Sequence, residues 1–148
     1  MEIFTILGTA TGLAGFFWGL YQFRHANAIR RYEKFHEMSK RFDESEEIQA
    51  VCRLLHGTEV GPKTLTKQDK EVFICFLEEI HFMVKSKIMK RYLALYSFGY
   101  YGKLALNCKE FWHDLDRSNP FYTHFLEYCE IANEFPAGSN VAKNDLKY

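Results

Sequence analysis

The sequence has no excess charge of either sign. Its 148 residues include 19 lysines and arginines and 19 aspartates and glutamates, so the formal net charge is zero. This overall balance does not indicate a nucleic-acid-binding protein, because such proteins commonly carry a basic excess. The charge is nevertheless distributed unevenly, and the first stretch of the chain carries almost none.

The cysteines form no C-x-x-C pair. They are widely separated and lie in apolar, helix-forming contexts: Cys52, Cys75, Cys108 and Cys129. A zinc site commonly has closer ligand pairs, and a disulfide framework needs an oxidising compartment. We therefore expect four buried, reduced thiols in a cytoplasmic domain.

The familiar catalytic signatures are also missing. The sequence has no glycine-rich phosphate loop, no G-x-S-x-G elbow and no H-E-x-x-H pair. Two groups of acidic and histidine residues have spacings that match no established metal-ligand pattern. They are Glu78-Glu79 with His81, and Glu110 with His113, Asp114 and Asp116. We therefore predict no metal and no cofactor.

The longest apolar run extends from Ile3 to Phe23 and contains no Asp, Glu, Lys, Arg or His. About 20 apolar residues are enough to cross a hydrocarbon core of roughly 30 Å. No basic segment precedes the run and no small-residue cleavage site follows it, which favours a retained anchor over a signal peptide. Because basic residues cluster after it, from Arg24 to Arg41, the N-terminus is expected outside and the following domain in the cytoplasm.

Four glycines recur through this apolar run at intervals of four, three and four residues: Gly8, Gly12, Gly15 and Gly19. At about 100° per residue they form a helix stripe roughly 60° wide, which allows helices to approach closely. We therefore predict a homo-oligomer in the membrane. Thr11 and Gln22 lie near the stripe and would give a ring of copies a polar lining. The alternative is that glycine is simply common in membrane helices.

The rest of the chain has no period-two pattern between hairpin turn residues, so no strand is predicted. The predicted fold is all-α, in four parts. They are a transmembrane helix over residues 3–23, a helical stalk over 24–42, a cytoplasmic bundle of about four helices over 43–135, and a flexible tail over 136–148.

Capping signals predict where bundle helices begin. Asp43 and Glu46 resemble a capping box for a helix over 44–56, and Thr66 is placed to cap a helix that closes near Lys85.

The later part of the bundle is rich in aromatic residues. Between Ile88 and Leu115, Gly99 and Gly102 either let another helix approach closely or mark a bend. Asn119-Pro120 is a start signal for a last helix that reaches Glu134. Its predicted inward residues are Phe121, Phe125, Leu126 and Cys129.

One constellation is suited to catalysis, an arginine followed by a histidine. Six residues separate Arg117 from His124, and four separate Arg31 from His36. Histidine can transfer a proton near neutral pH, and arginine can stabilise a phosphoryl transition state. The spacing resembles the motif of HEPN ribonucleases, an all-helical family in which two copies meet across a dimer to cleave RNA without metal.

The resemblance implies Arg117 and His124 as catalytic residues and RNA as substrate, with Arg31 and His36 as an alternative motif. Position favours the first pair, because it straddles the predicted start of the last helix. In the competing interpretation Arg117 is structural and pairs with an acidic neighbour, either Asp114 or Asp116.

Two wider resemblances concern the whole chain. The order of a leading span, the helix from Phe73 to Val84, the run KSKIMKRYLALYSFGYYGKLAL and a late FYTHFLEY is similar to a family of small bacterial single-span membrane proteins of unknown function. A span joined to a HEPN-like bundle also resembles the membrane accessory proteins of type VI CRISPR systems. That resemblance implies a ring-shaped oligomer in the bacterial inner membrane, a pore that strengthens antiphage defence, and a CRISPR effector protein as partner.

Three hypotheses follow for the function. The first is a self-associating inner-membrane protein, an oligomeric and pore-forming effector or accessory in antiphage defence. The second is a membrane-anchored, metal-independent ribonuclease, and the third is a non-catalytic interaction module anchored in the bilayer. Whether the chain is an enzyme stays open at this level.

Overall fold

The computed structural model describes residues 2–58 and 65–135, and it describes side chains only from residue 15 onward. Within these ranges the chain is all-helical, which confirms the predicted fold class. The helices are α1 (Glu2–Glu44), α2 (Glu46–Leu55), α3 (Lys67–Lys85), α4 (Arg91–Ala94), α5 (Tyr100–Asn107), α6 (Lys109–Trp112) and α7 (Thr123–Glu134). A π-helical turn (Leu95–Gly99) joins α4 to α5, and a 3-10 turn (Pro120–Tyr122) precedes α7. The predicted tail over 136–148 lies outside the described residues.

The first helix runs without interruption from Glu2 to Glu44. In the part of the chain that the structure describes, no helix has both the length and the apolar character needed to cross a membrane. Of the predicted span over 3–23, the side chains of residues 3–14 lie outside those described. The chain divides into two compact units between Glu37 and Met38.

The second unit has a core of aromatic side chains. Its largest fully buried residues are mostly rings: Phe73, Phe76, Phe98, Phe111, Phe125 and Tyr128. The Phe42 ring, in the last turns of α1, lies 5.6 Å from Phe76 and 5.5 Å from Phe98 between ring centroids. The end of α1 is therefore part of the core of the bundle. Such ring pairs add about 0.5–1.5 kcal/mol to the effect of buried area alone.

The capping predictions are confirmed for α3 and corrected for α2. Thr66 Oγ1 accepts a hydrogen bond from the Asp69 amide at 3.2 Å, and Asp69 Oδ2 accepts one from the Thr66 amide at 2.8 Å. At α2 the cap is Ser45 and not Asp43, since α1 continues to Glu44 and Ser45 Oγ accepts from the Ile48 amide.

The two glycines of the aromatic-rich segment let α7 approach closely. A Cβ at Gly99 would lie 3.4 Å from the Ala132 Cβ, and one at Gly102 would lie 3.4 Å from the Tyr128 ring. The π-helical turn ends at Gly99, so this segment is also irregular. The close approach of another helix is therefore observed, while a bend at these glycines stays a prediction.

Gly102 supplies a direct test of this packing. We expect Gly102→Val to lower the free energy of unfolding by about 1–3 kcal/mol, because its branched methyl groups would overlap the Tyr128 ring and the Cys129 thiol. Gly102→Ala is the matched control, since a single Cβ makes only ordinary contacts and gains helix propensity of about 1 kcal/mol. Urea unfolding of the full chain, followed by circular dichroism, compares the two. Equal stability of the two variants would contradict the proposed packing.

The inward face of α7 differs from prediction at Phe121, and Leu126 is only half-buried. Phe125 and Cys129 are buried as predicted, but the side chain of Phe121 is 84% exposed. Phe121 belongs to the 3-10 turn, and within that turn Tyr122 takes the buried place. The prediction for Phe121 is wrong because the α-helical register starts only after this turn.

The cysteine prediction is right for two of the four thiols. All four are free, but Cys75 is exposed and Cys108 is only half-buried. Burial raises the pKa of Cys52 to about 12, and it also raises the pKa of Cys129. The two buried thiols therefore stay protonated and act as small apolar groups in the core.

Candidate functional site

Three side chains that can bind metals meet where α3 packs against α7. We call His81, His124 and Glu127 the His–Glu cluster. His124 and Glu127 are three residues apart, so they lie on the same face of α7, and His81 reaches them from α3. Glu127 Oε2 lies 3.0 Å from His81 Nε2 and 3.4 Å from His124 Nδ1. The cluster thus joins two helices that are far apart in the sequence.

The cluster has one buried member and two partly exposed ones. The His81 side chain is 4% exposed, whereas those of His124 and Glu127 are 46% and 44% exposed. The Phe82 ring packs edge-on against the His124 ring at 4.8 Å between centroids, and Tyr128 packs edge-on against His81 at 6.1 Å. These ring contacts restrict the orientation of both imidazoles while one side of the cluster remains open to solvent.

The charges around the cluster favour an ionised carboxylate beside a neutral imidazole. Lys85 Nζ donates a hydrogen bond to Glu127 Oε2 at 2.7 Å. That bond, with those of His81 and His124, lowers the pKa of Glu127 to about 2. Burial lowers the pKa of His81, although its hydrogen bond to Glu127 acts in the opposite direction. A neutral imidazole and an ionised carboxylate are the forms that bind metals.

A fourth polar group, Glu78, lies beside the cluster. It precedes His81 by one turn of α3, and its Oε1 accepts a hydrogen bond from the Phe125 amide at 3.3 Å. Burial raises the pKa of Glu78, while the Phe125 amide and the nearby charge of His124 act in the opposite direction. Glu78 thus adds a second carboxyl group within electrostatic reach of His124.

Two depressions lie near the cluster, and His81 lines one of them. An open groove on α3 is lined by Glu78, Phe82 and Lys85, among others. A smaller cavity of about 150 Å³ is lined by His81, Lys85 and Tyr128, among others. Lys85, which donates to Glu127, lines both depressions.

The structure gives the predicted catalytic pair separate neighbours. His124 belongs to the His–Glu cluster. The guanidinium group of Arg117 lies 5.4 Å from the centre of the Trp112 ring, and its Nη1 donates to the Leu106 carbonyl at 3.5 Å. Within residues 65–135, no hydrogen bond, ion pair or ring contact joins Arg117 to His124.

Arg117 also does not form the predicted ion pair with an acidic neighbour. Asp114 pairs instead with Lys70, and Asp116 accepts hydrogen bonds from the amide and hydroxyl of Ser118. The Arg117 guanidinium lies over the face of the Trp112 ring, a contact that sequence spacing alone does not indicate. Stacking of this kind contributes about 0.5–1 kcal/mol at an exposed site.

The alternative motif lies on the first unit. Arg31 and His36 are both exposed on α1, and the His36 ring stacks with the Tyr32 ring at 6.4 Å between centroids. This places His36 beside a neighbour one helical turn away and leaves both side chains accessible to solvent.

The first unit also carries a large uncovered apolar surface. Between residues 16 and 23, six large apolar side chains are 44–67% exposed: Phe16, Phe17, Trp18, Leu20, Tyr21 and Phe23. Among the described residues, no atom lies within 4 Å of a Cβ built at Gly15 or at Gly19. Gly8 and Gly12 lie in α1, but their surroundings are outside the described side chains. We call residues 15–23 the α1 apolar segment.

Sequence reasoning missed the His–Glu cluster as a unit. The sequence groups His81 with Glu78 and Glu79 as a metal candidate, and it groups His124 with Arg117 as a catalytic pair. Glu127 belongs to neither group. A local signal was present in the two pairs Glu78-x-x-His81 and His124-x-x-Glu127, since each spacing puts both residues on one helix face. The meeting of α3 and α7, which joins the pairs, depends on tertiary packing.

Comparison with known proteins finds no match: no family model fits the chain, and no curated protein or solved structure is significantly similar to it.

Proposed function

We propose that this chain is a membrane-anchored protein whose first helix associates with further copies of itself and holds the helical bundle on the cytoplasmic side of a bacterial inner membrane. The observation that carries the proposal is the α1 apolar segment, where six large apolar side chains are exposed within eight residues of one helix. Contiguous exposed apolar surface of this kind is typical of a membrane or protein contact.

The residue types in the segment agree with a position at the membrane interface. Trp18 and Tyr21 have rings that are apolar on one side and polar at one end, which suits the headgroup level. Arg24, Arg30 and Arg31 follow within the same helix and would lie near anionic headgroups. The segment from residue 15 onward would thus be the cytoplasmic end of a span that begins near Ile3.

Self-association is supported by the open glycines. Because no described residue contacts the Cβ positions of Gly15 and Gly19, packing among the described residues does not explain their lack of side chains. Glycines at this spacing allow another helix to approach closely. A ring built in this way is the basis for the pore and for the antiphage role, which rest on the resemblance to CRISPR-associated membrane proteins.

The metal-independent ribonuclease stays an alternative prediction. Arg117 and His124 have separate neighbours in the structure, so no observation on the described residues favours it over the anchored oligomer.

The test is the mass of the detergent-solubilised full chain, measured by size-exclusion chromatography with light scattering. We expect the wild type to be an oligomer and the double variant Gly15→Leu/Gly19→Leu to be a monomer, because the added side chains would keep the helices apart. In the described part of the chain no atom lies within 4 Å of either Cβ position, so each added side chain begins in open space.

The matched control is Ala10→Leu/Ala14→Leu, which adds similar bulk on the opposite side of α1 by helical periodicity. This control is expected to stay oligomeric. All three proteins should remain in the membrane pellet after alkaline carbonate extraction. A monomeric wild type, or an unchanged mass for the glycine variant, would overturn self-association, and release of the wild type by carbonate would overturn the anchor.

A further inference from the structure

We propose that the His–Glu cluster binds one divalent first-row transition-metal ion, with zinc as the best match, through His81, His124 and Glu127. The inference concerns the bundle alone and does not depend on the membrane anchor. It contradicts the prediction of no metal, because that prediction rests on residues that are close together in the sequence.

The distances suit a metal ion with little rearrangement. Zinc binds imidazole nitrogen at about 2.0–2.1 Å and carboxylate oxygen at about 2.0–2.2 Å, so two ligand atoms of a tetrahedral site lie roughly 3.3 Å apart. Glu127 Oε2 lies 3.0 Å from His81 Nε2 and 3.4 Å from His124 Nδ1. All the ligand atoms of the three residues lie within 4.8 Å of one another. Side-chain rotations alone would bring them around one ion.

The ligand types favour zinc or a neighbouring transition metal over magnesium or calcium. Two imidazoles and one carboxylate form the His₂Glu set found in hydrolytic zinc sites, whereas magnesium and calcium prefer oxygen ligands. Three protein ligands leave a fourth position for water. Since His124 and Glu127 are half-exposed, that position would face solvent beside the groove on α3.

The helix framework holds the ligands in place. Each helix contributes a pair spaced by one turn, Glu78 with His81 from α3 and His124 with Glu127 from α7. Carboxylate and histidine pairs at this spacing also build the metal sites of helical bundles. The buried His81 anchors the site, and Phe82 limits the rotation of the His124 ring.

Lys85 is the competitor for this site. Its ammonium group lies 2.7 Å from Glu127 Oε2, where it neutralises the charge that a metal ion would neutralise. The Lys85 side chain is 52% exposed, so it can move into water when an ion binds. A metal-free ion-pair network is the competing explanation of the cluster, and the response to removing Lys85 separates the two.

The experiment uses the full chain, purified without a histidine tag, stripped with a chelator and titrated with zinc chloride. Isothermal titration gives the affinity, and mass spectrometry of the desalted protein gives the stoichiometry. We expect one zinc ion per chain. His124→Ala and Glu127→Gln should each weaken binding by more than the roughly tenfold that loss of an outer hydrogen-bond partner costs. Lys85→Met should tighten binding, because it removes the competing ammonium group.

His113→Ala is the matched control, since His113 is an exposed histidine outside the cluster. It should bind zinc as the wild type does. Circular dichroism checks that each variant is folded, and because Lys85→Met changes only an exposed ion pair, its affinity decides the question if His124→Ala is unstable. No bound zinc in the wild type, equal affinity in a folded His124→Ala, or no gain in Lys85→Met would overturn the proposal.

Discussion

Replacing Phe125 with alanine is expected to lower the free energy of unfolding of the bundle by about 3–5 kcal/mol. The Phe125 side chain is fully buried. Its ring centroid lies 6.3 Å from that of Phe73, and 6.0 Å from those of both Phe111 and Trp112. Truncation would remove contacts to three rings from two other segments and leave a cavity that these rigid rings cannot fill.

Phe121→Ala is the control for this prediction, because it makes the same chemical change four residues earlier. Phe121 is 84% exposed, so its loss should change the free energy of unfolding by less than about 0.5 kcal/mol. Urea unfolding of both variants, followed by circular dichroism, gives the comparison. If the two substitutions had similar costs, the assignment of Phe125 to the core and of Phe121 to the surface would be wrong.

Asp114→Ala is expected to lower the free energy of unfolding by about 2 kcal/mol. This is less than the roughly 3–5 kcal/mol that breaking a fully buried ion pair costs. Lys70 is the reason, since its side chain is only 7% exposed and its Nζ donates to Asp114 Oδ1 and to the Glu110 carbonyl. Without Asp114 the buried ammonium keeps one acceptor. The effect is smaller than for a fully buried pair because the Asp114 side chain is 37% exposed.

Two further variants separate charge from packing at this pair. Lys70→Met should cost less than Asp114→Ala, since it removes the buried charge and leaves Asp114 to be solvated. Asp116→Ala, which removes a carboxylate that bonds only to Ser118 in the described contacts, should cost less than Asp114→Ala. An Asp116→Ala variant less stable than Asp114→Ala would contradict this order.

The pH dependence of the Asp114 effect follows from its pKa. The hydrogen bond from Lys70 lowers the pKa of Asp114 below its ordinary value of 3.8. A lowered folded-state pKa means that the stabilisation is fully present above the unfolded-state pKa and is lost as the pH falls through the folded value. The stability difference between wild type and Asp114→Ala should therefore be constant near neutral pH and shrink below about pH 4. A difference that is the same at low pH would exclude the ion pair as its source.

The helices and their ends could be predicted because their signals are local. Thr66 with Asp69 and Asn119 before Pro120 each act on the backbone within one turn. Predictions that depended on a neighbouring element were less reliable. The prediction of Asp43 as a cap is wrong because α1 continues to Glu44. Met38 and Phe42, in the last turns of α1, are buried in the bundle core.

The candidate sites were predicted to different degrees. The apolar run and its glycine stripe follow from composition and helical periodicity. The structure adds that the large apolar side chains between residues 16 and 23 are exposed. Arg117 and His124 lie on either side of the start of the last helix, as the sequence predicts. Their spacing does not indicate which residues each side chain contacts. The structure places Arg117 on Trp112 and His124 beside His81.

From residue order alone one can derive the helical class of this chain, its apolar first segment and the caps of α3 and of the turn before α7, since each depends on neighbours within about one turn. The joining of Glu78 and His81 with His124 and Glu127 required the fold. These pairs are more than 40 residues apart, and the packing of α3 against α7, which includes the edge-on contact of the Phe73 and Phe125 rings, brings them together. The most specific chemical site of the bundle is therefore a product of core packing, which local sequence patterns do not encode.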